Sequence, residues 1–102
     1  MRPTGALLRY CVRLTLFTRD NCSLCDDAWH NLSKVWDRRP FEFDKIDVMA
    51  AGNKKWKELY EFDTPVVHID KTKEDSQFET SAAARKLMHR FTEAEVEKVM
   101  DE

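Results

Sequence analysis

Glycine and proline are scarce in this sequence, with two and three residues among 102, which excludes a loop-rich β-sandwich and a disordered chain. Cysteine is also rare. The three residues Cys11, Cys22 and Cys25 are too few, and of the wrong parity, for a small secreted fold stapled by disulfides. A thiol pair in a reducing compartment explains the count better. No apolar run approaches the roughly 20 residues that a membrane-spanning helix requires. The formal net charge of −2 gives no broad field towards nucleic acid or an anionic membrane. What is present is 42% hydrophobic and 11% aromatic residues, enough for one packed core in a chain with room for one domain.

The first 19 residues hold Arg2, Arg9, Arg13 and Arg19 and no acidic side chain. Mitochondrial presequences share that composition, whereas Arg9 and Arg13 interrupt the only stretch that could serve as a secretory apolar region. The plainer reading is a basic tail over residues 1–11 ahead of a domain over 12–102, located in the cytoplasm or the mitochondrion.

Val12–Phe17 alternates and then turns wholly apolar, as a strand does when both faces become buried. From Cys22 the period lengthens. Leu24, Ala28, Leu32, Val35 and Trp36 form one helical stripe, Arg38 and Arg39 suit the C-terminal dipole, and Pro40 stops the helix. Trp29 and Trp36 read as stripe or flank residues with a core role. Phe41–Val48 is a second strand, bulged or covered on both faces. A short helix through Trp56, Leu59 and Tyr60 follows, its Lys54, Lys55 and Lys57 a solvated face. Thr64-Pro65 then punctuates before a strand at Val66–Ile69, and Lys71–Gln77 reads as an exposed loop. Between Thr80 and Arg90 the alanines favour helix, but an added strand at Arg85–Arg90 completes a sheet. Thr92 and Glu95 form a capping box, which predicts a last helix from Glu93 that buries Val96, Val99 and Met100. The order is β-α-β-α-β-β-α: an α/β fold with a central four-stranded mixed sheet flanked by helices.

One constellation carries chemistry. Cys22-Ser23-Leu24-Cys25 follows a buried strand and opens an amphipathic helix. Unpaired N–H groups and the helix dipole there favour a thiolate at Cys22. Arg19 adds positive charge, whereas Asp26 and Asp27 oppose the thiolate and point to modest activation. Cys22 at the exposed helix start would attack a substrate disulfide, and Cys25, one turn on and more buried, would resolve the mixed disulfide. Cys11 reads as a small residue near the start of the first strand. His30, His68 and His89 are scattered and offer no second ligand pair at zinc-finger spacing, so no metal site is expected.

With Leu14-Thr15-Leu16-Phe17-Thr18-Arg19 leading into Cys22-Ser23-Leu24-Cys25, and Asp63-Thr64-Pro65-Val66-Val67 further on, the chain resembles a glutaredoxin, in particular the short eukaryotic glutaredoxin-like proteins. The resemblance runs from about Val12 to Met100 and implies a thioredoxin-like fold. It also implies that Pro65 opens the third strand through a cis peptide bond beside the cysteines, and that Arg19, Thr64 and Pro65 bind substrate, the Thr64 backbone pairing with an extended segment across from Cys22.

Three departures from the family stand out. Ser23-Leu24 replaces the usual Pro-Tyr or Pro-Phe, and Arg19 replaces the usual Lys. The Gly-Gly and Asp that bind glutathione have no match near Phe91-Thr92-Glu93. Thiol chemistry is therefore better supported than a glutathione site, and no bound cofactor is expected, with glutathione as the reductant that the resemblance implies. The expected function is a monomeric thiol–disulfide oxidoreductase acting on disulfide-containing proteins or glutathione mixed disulfides, with neither nucleic acid nor membrane as partner. The competing expectation is a redox-inactive binding module of the same fold whose cysteines are structural or hold metal.

Overall fold

The computed structural model of the chain describes residues 10–73 and 80–102. Among these described residues seven elements follow in the order β1 (Tyr10–Thr18), α1 (Ser23–Arg38), β2 (Glu42–Asp47), α2 (Lys54–Tyr60), β3 (Val66–Lys73), β4 (Arg85–Met88) and α3 (Glu93–Met100). The four strands lie in the order β2-β1-β3-β4. β1 pairs parallel to β2 from Arg13 opposite Glu42 to Thr18 opposite Asp47, and antiparallel to β3 from Tyr10 opposite Lys73 to Phe17 opposite Val66. β4 closes the other edge against Val66–Ile69.

Strand alternation sorts β1 into two faces. Leu14 and Leu16 point with Val67 and Ile69 towards α1 and α3, where Ala28, Leu32, Val35, Val96 and Met100 complete one core. Phe17 points with Val66 the other way, and α2 covers that face with Trp56 and Tyr60. The unbroken β1–β2 register decides the nature of β2. The strand is not bulged but covered on both faces, with Phe43 packed on the α1 side and Ile46 on the α2 side.

Helix α1 has no glycine or proline inside it and ends at Arg38, with Arg39 as its C-cap before Pro40. Its buried residues are Cys25, Ala28, Leu32 and Val35. The expected stripe is thus correct at its centre and wrong at its edge: Trp36 is 47% exposed and Trp29 44%. The residue after Val35 is turned about 100° round the helix, so Trp36 leaves the sheet-facing side. Arg38 and Arg39 do more than face a dipole. Arg38 binds Glu93 at 2.9 Å and Glu97 at 2.7 Å, and Arg39 binds Asp101 at 2.6 Å, which clasps α1 to α3.

The capping box at the start of α3 is formed in full: Glu95 N donates to Thr92 Oγ1 at 3.1 Å and Thr92 N to Glu95 Oε1 at 2.9 Å. Two strands differ in extent from their sequence reading. β3 continues through Lys73 because β1 reaches back to Tyr10 and supplies partners for the polar residues after Ile69. So Lys71–Lys73 is strand rather than loop, and 74–79 lies outside the described residues. β4 stops at Met88 rather than Arg90, because His89 takes a positive φ of 63° and its N–H turns to the Pro65 carbonyl at 2.8 Å. Cys11 lies in β1 opposite Thr72.

Candidate active site

The chain leaves β1 at Thr18 and reverses through Asn21, whose φ of 58° is in the left-handed region that asparagine tolerates. This turn delivers Cys22 to the N-cap of α1. Its Sγ accepts the Cys25 N–H at 3.1 Å, and its carbonyl accepts the Cys25 and Asp26 N–H groups at 3.1 and 3.3 Å. A sulfur therefore stands where helix caps place an oxygen. Cys22 and Cys25 are joined in a disulfide, with Cα atoms 5.2 Å apart. Cys22 is half-buried at the helix start, whereas Cys25 is only 5% exposed.

The peptide bond between Thr64 and Pro65 is cis, and this turn stands over the pair with Thr64 Oγ1 3.9 Å from Cys22 Sγ. Arg19 lines a cleft with both cysteines, and its Nη1 donates to the Glu61 carbonyl at 2.8 Å. It thereby ties the turn before Cys22 to the turn before Pro65. Cys22, Cys25, Arg19 and Thr64 thus come together, with Pro65 buried behind Thr64.

Sequence reading missed the other wall of the site. A cleft of about 520 Å³ holds both cysteines and is also lined by Leu16, Trp29, Lys45 and Asp47. These residues sit near the C-terminal ends of parallel β1 and β2 or on the flank of α1. A usable signal was available, since sites in parallel sheets gather where the strands end. His89 lies 3.4 Å from Asp63, which clasps the end of β4 to the Thr64-Pro65 turn.

The three histidines are placed far apart in role. His30 is exposed on α1 and His89 is at the rim just described. His68 is fully buried, with both ring nitrogens engaged: Nε2 with Tyr60 Oη at 2.6 Å and Nδ1 with Thr80 Oγ1 at 2.8 Å. Burial, helped by the nearby Lys86 charge, lowers its pKa to about 4. Among the described residues no three His, Cys, Asp or Glu side chains gather to hold a metal ion, and no helix is long and apolar enough to cross a membrane.

The strand order, the cysteine pair at a helix start and the cis-proline turn define a protein of thioredoxin fold. Solved structures agree on that fold. Thioredoxin-2, a component of malaria parasite protein secretion machinery, matches with a TM-score of 0.65 at 12% identity, over 92% of this chain and 84% of that one. Thioredoxin 1 of Thermosipho africanus gives 0.61 at 21% identity over 87% and 90%, and protein Ne2328 of Nitrosomonas europaea gives 0.60 at 21% over 87% and 89%. A family model narrows the class: residues 13–101 match the glutaredoxin-like domain (DUF836), and the chain belongs to that family.

Proposed function

We propose that the protein is a thiol–disulfide oxidoreductase that reduces protein or glutathione mixed disulfides. The observation that carries this reading is the asymmetry of the pair. Cys22 lies at the open start of α1 with an N–H on its sulfur, and Cys25 lies buried one turn on, within bonding reach. In the reduced protein the helix N-terminus favours the Cys22 thiolate. That thiolate attacks one sulfur of a substrate disulfide. A new S–S bond forms, the old one breaks, and the first thiolate leaves. The Cys25 thiol then loses its proton and attacks Cys22 Sγ, which expels the second substrate thiolate and closes the Cys22–Cys25 disulfide. Two electrons pass to the substrate, and an external thiol, glutathione or a dithiol, restores the reduced pair. Thr64 and Arg19 are assigned to holding the substrate segment beside Cys22.

The test is the pH dependence of alkylation of the reduced protein, with the modified residue located by mass spectrometry. Cys22 should react first, with an apparent pKa clearly below the ~8.5 of a free cysteine. A Cys22 that titrates at or above that value would overturn the proposal. Cys25→Ser should accumulate a mixed disulfide at Cys22.

A further inference from the structure

An apolar groove runs down the flank of the molecule from the cysteine cleft. One wall is the outer side of α1, with Trp29 and Trp36. The other is Phe41, just before β2, and Phe43 within it, β2 being an edge strand of the sheet. Trp29 and Trp36 are 44% and 47% exposed, on a surface where a soluble protein usually avoids clustering such rings. The groove encloses about 250 Å³, below the roughly 300 Å³ at which small-molecule pockets begin. It is sized for one bulky side chain.

Two of its polar groups are already used. Trp36 Nε1 donates to the Phe41 carbonyl at 3.1 Å, and Ser33 Oγ donates to the Trp29 carbonyl at 2.9 Å. Trp29 packs on Phe43 with centroids 5.2 Å apart. On the β2 edge, the Lys45 N–H is covered by the Asp44 carboxylate at 3.0 Å. With the Phe41 carbonyl and the Lys45 N–H taken on that edge and rings lining the groove, an anchored side chain is favoured over an added strand.

Trp29 is the link, because it lines both this groove and the cleft that contains Cys22 and Cys25. We propose that the groove is the docking site for a disulfide-bearing protein substrate, which seats one aromatic or large aliphatic side chain between Trp29 and Trp36. The inference rests on the oxidoreductase reading and names its substrate class. Charge sets the neighbours of the anchor. Asp37 lines the groove, and Asp20, Asp26 and Asp47 outnumber Arg19 and Lys45 along the cleft. The complementary segment carries Lys or Arg beside its apolar anchor. Helix geometry sets the spacing: the groove centre lies about 16 Å along α1 from Cys22, roughly five residues of extended chain. Glutathione, a tripeptide, cannot span it.

The test uses two synthetic peptides, each with a cysteine in a mixed disulfide, and five residues on either Phe or Ser between two arginines. Single-turnover reduction at low peptide concentration should favour Phe over Ser by about tenfold or more. Trp36→Ala should bring the ratio close to one and leave reduction of hydroxyethyl disulfide unchanged. Binding is read separately by anisotropy with labelled Phe and Ser peptides in which the cysteine is replaced by serine. A preference for the Phe form, lost in Trp36→Ala, supports the groove even if no disulfide is reduced, in which case the oxidoreductase reading fails alone. Equal binding of the two peptides, with normal reduction of hydroxyethyl disulfide, overturns the groove and leaves the oxidoreductase standing. Sedimentation showing a wild-type dimer that Trp36→Ala dissociates would also overturn it, because a second copy would then occupy the groove.

Discussion

The two faces of the sheet are closed by different means. On one side, α1 supplies 16 residues of helix with Ala28, Leu32 and Val35 at its centre, and α3 adds Val96 and Met100. That core is largely aliphatic and owes its hold to buried area. On the other side α2 has only seven residues, too few for a second broad stripe. Rings fill the space instead. Phe17 meets Trp56, Tyr60 and His68 with centroids 4.7, 5.1 and 4.6 Å away. Through them runs a polar chain with one consistent direction. Thr80 Oγ1 donates to Asp70 Oδ2 at 2.9 Å, so it accepts from His68 Nδ1–H, which leaves Nε2 to accept from the Tyr60 hydroxyl. A long helix closes its face by area; a short one needs specific partners and inherits their sensitivity to protonation.

The largest expected effect is on the aliphatic side. Leu32 is 1% exposed, and Leu32→Ala should lower stability by about 2–5 kcal/mol through lost transfer energy and a residual cavity. Urea unfolding of the oxidised protein, at fixed pH and with an unchanged slope, would read it as a shift of midpoint. That loss should be nearly the same at pH 7 and pH 5, because the buried residues clustered with Leu32 are all apolar.

The ring side should behave differently with pH. An unfolded histidine binds its proton near pH 6.5, whereas folded His68 binds it only near 4. Between those values the unfolded chain holds more protons, so stability rises with pH. The contribution is full above about pH 6.5 and is lost as pH falls towards 4, amounting to at most about 3 kcal/mol. Asp70 opposes it in part, because burial raises its carboxyl pKa and its protonation then favours the folded state on the acid side. Unfolding free energies between pH 4 and 7 should slope steeply in the wild type and less so in His68→Gln. Equal slopes would show that the acid sensitivity lies elsewhere.

Tyr60→Phe is a smaller break in the same chain. It keeps the ring that packs on Phe17 and removes the donor to His68 Nε2. A buried acceptor left without a partner costs about 1–3 kcal/mol. His68 should then protonate more readily, since its lone pair is no longer occupied. The imidazole titration followed by NMR should move upward relative to the wild type, and an unmoved titration would refute the direction assigned to the chain.

Much of this architecture was legible in the sequence because it is written locally. The alternation of Val12–Phe17, the period from Cys22 to Val35, the Thr92–Glu95 box and the Cys22–Cys25 spacing are each set within a few residues. Even the strand before His89 follows from Arg85–Met88 needing a place in the sheet, although Ala82–Ala84 favour helix on propensity alone. What escaped reading depends on residues far apart in sequence. Polar Asp70 and Lys71 extend β3 only because β1 offers them partners, and His68 meets Thr80 across a connection that no periodicity describes. Lys45 and Asp47 reach the cysteine cleft because β2 runs parallel to β1 and ends beside it. Thr64 is placed near Cys22 by family resemblance, not by any pattern in its own neighbourhood.

The smallest effect belongs to the clasp between α1 and α3, and it sharpens the contrast from outside the core. Arg38 reaches Glu93 and Glu97, but its side chain is 50% exposed and theirs are 29% and 27% exposed. Water and salt screen such pairs, and holding three long side chains in one geometry costs entropy. Arg38→Gln should therefore shift the urea midpoint less than Tyr60→Phe does, and the shift should vanish in 1 M sodium chloride. The Leu32→Ala shift should survive the same salt, since buried area does not depend on ionic screening. If Arg38→Gln matched Leu32→Ala in size, α3 would be held by its charges rather than by Val96 and Met100, and the aliphatic account of that face would fail.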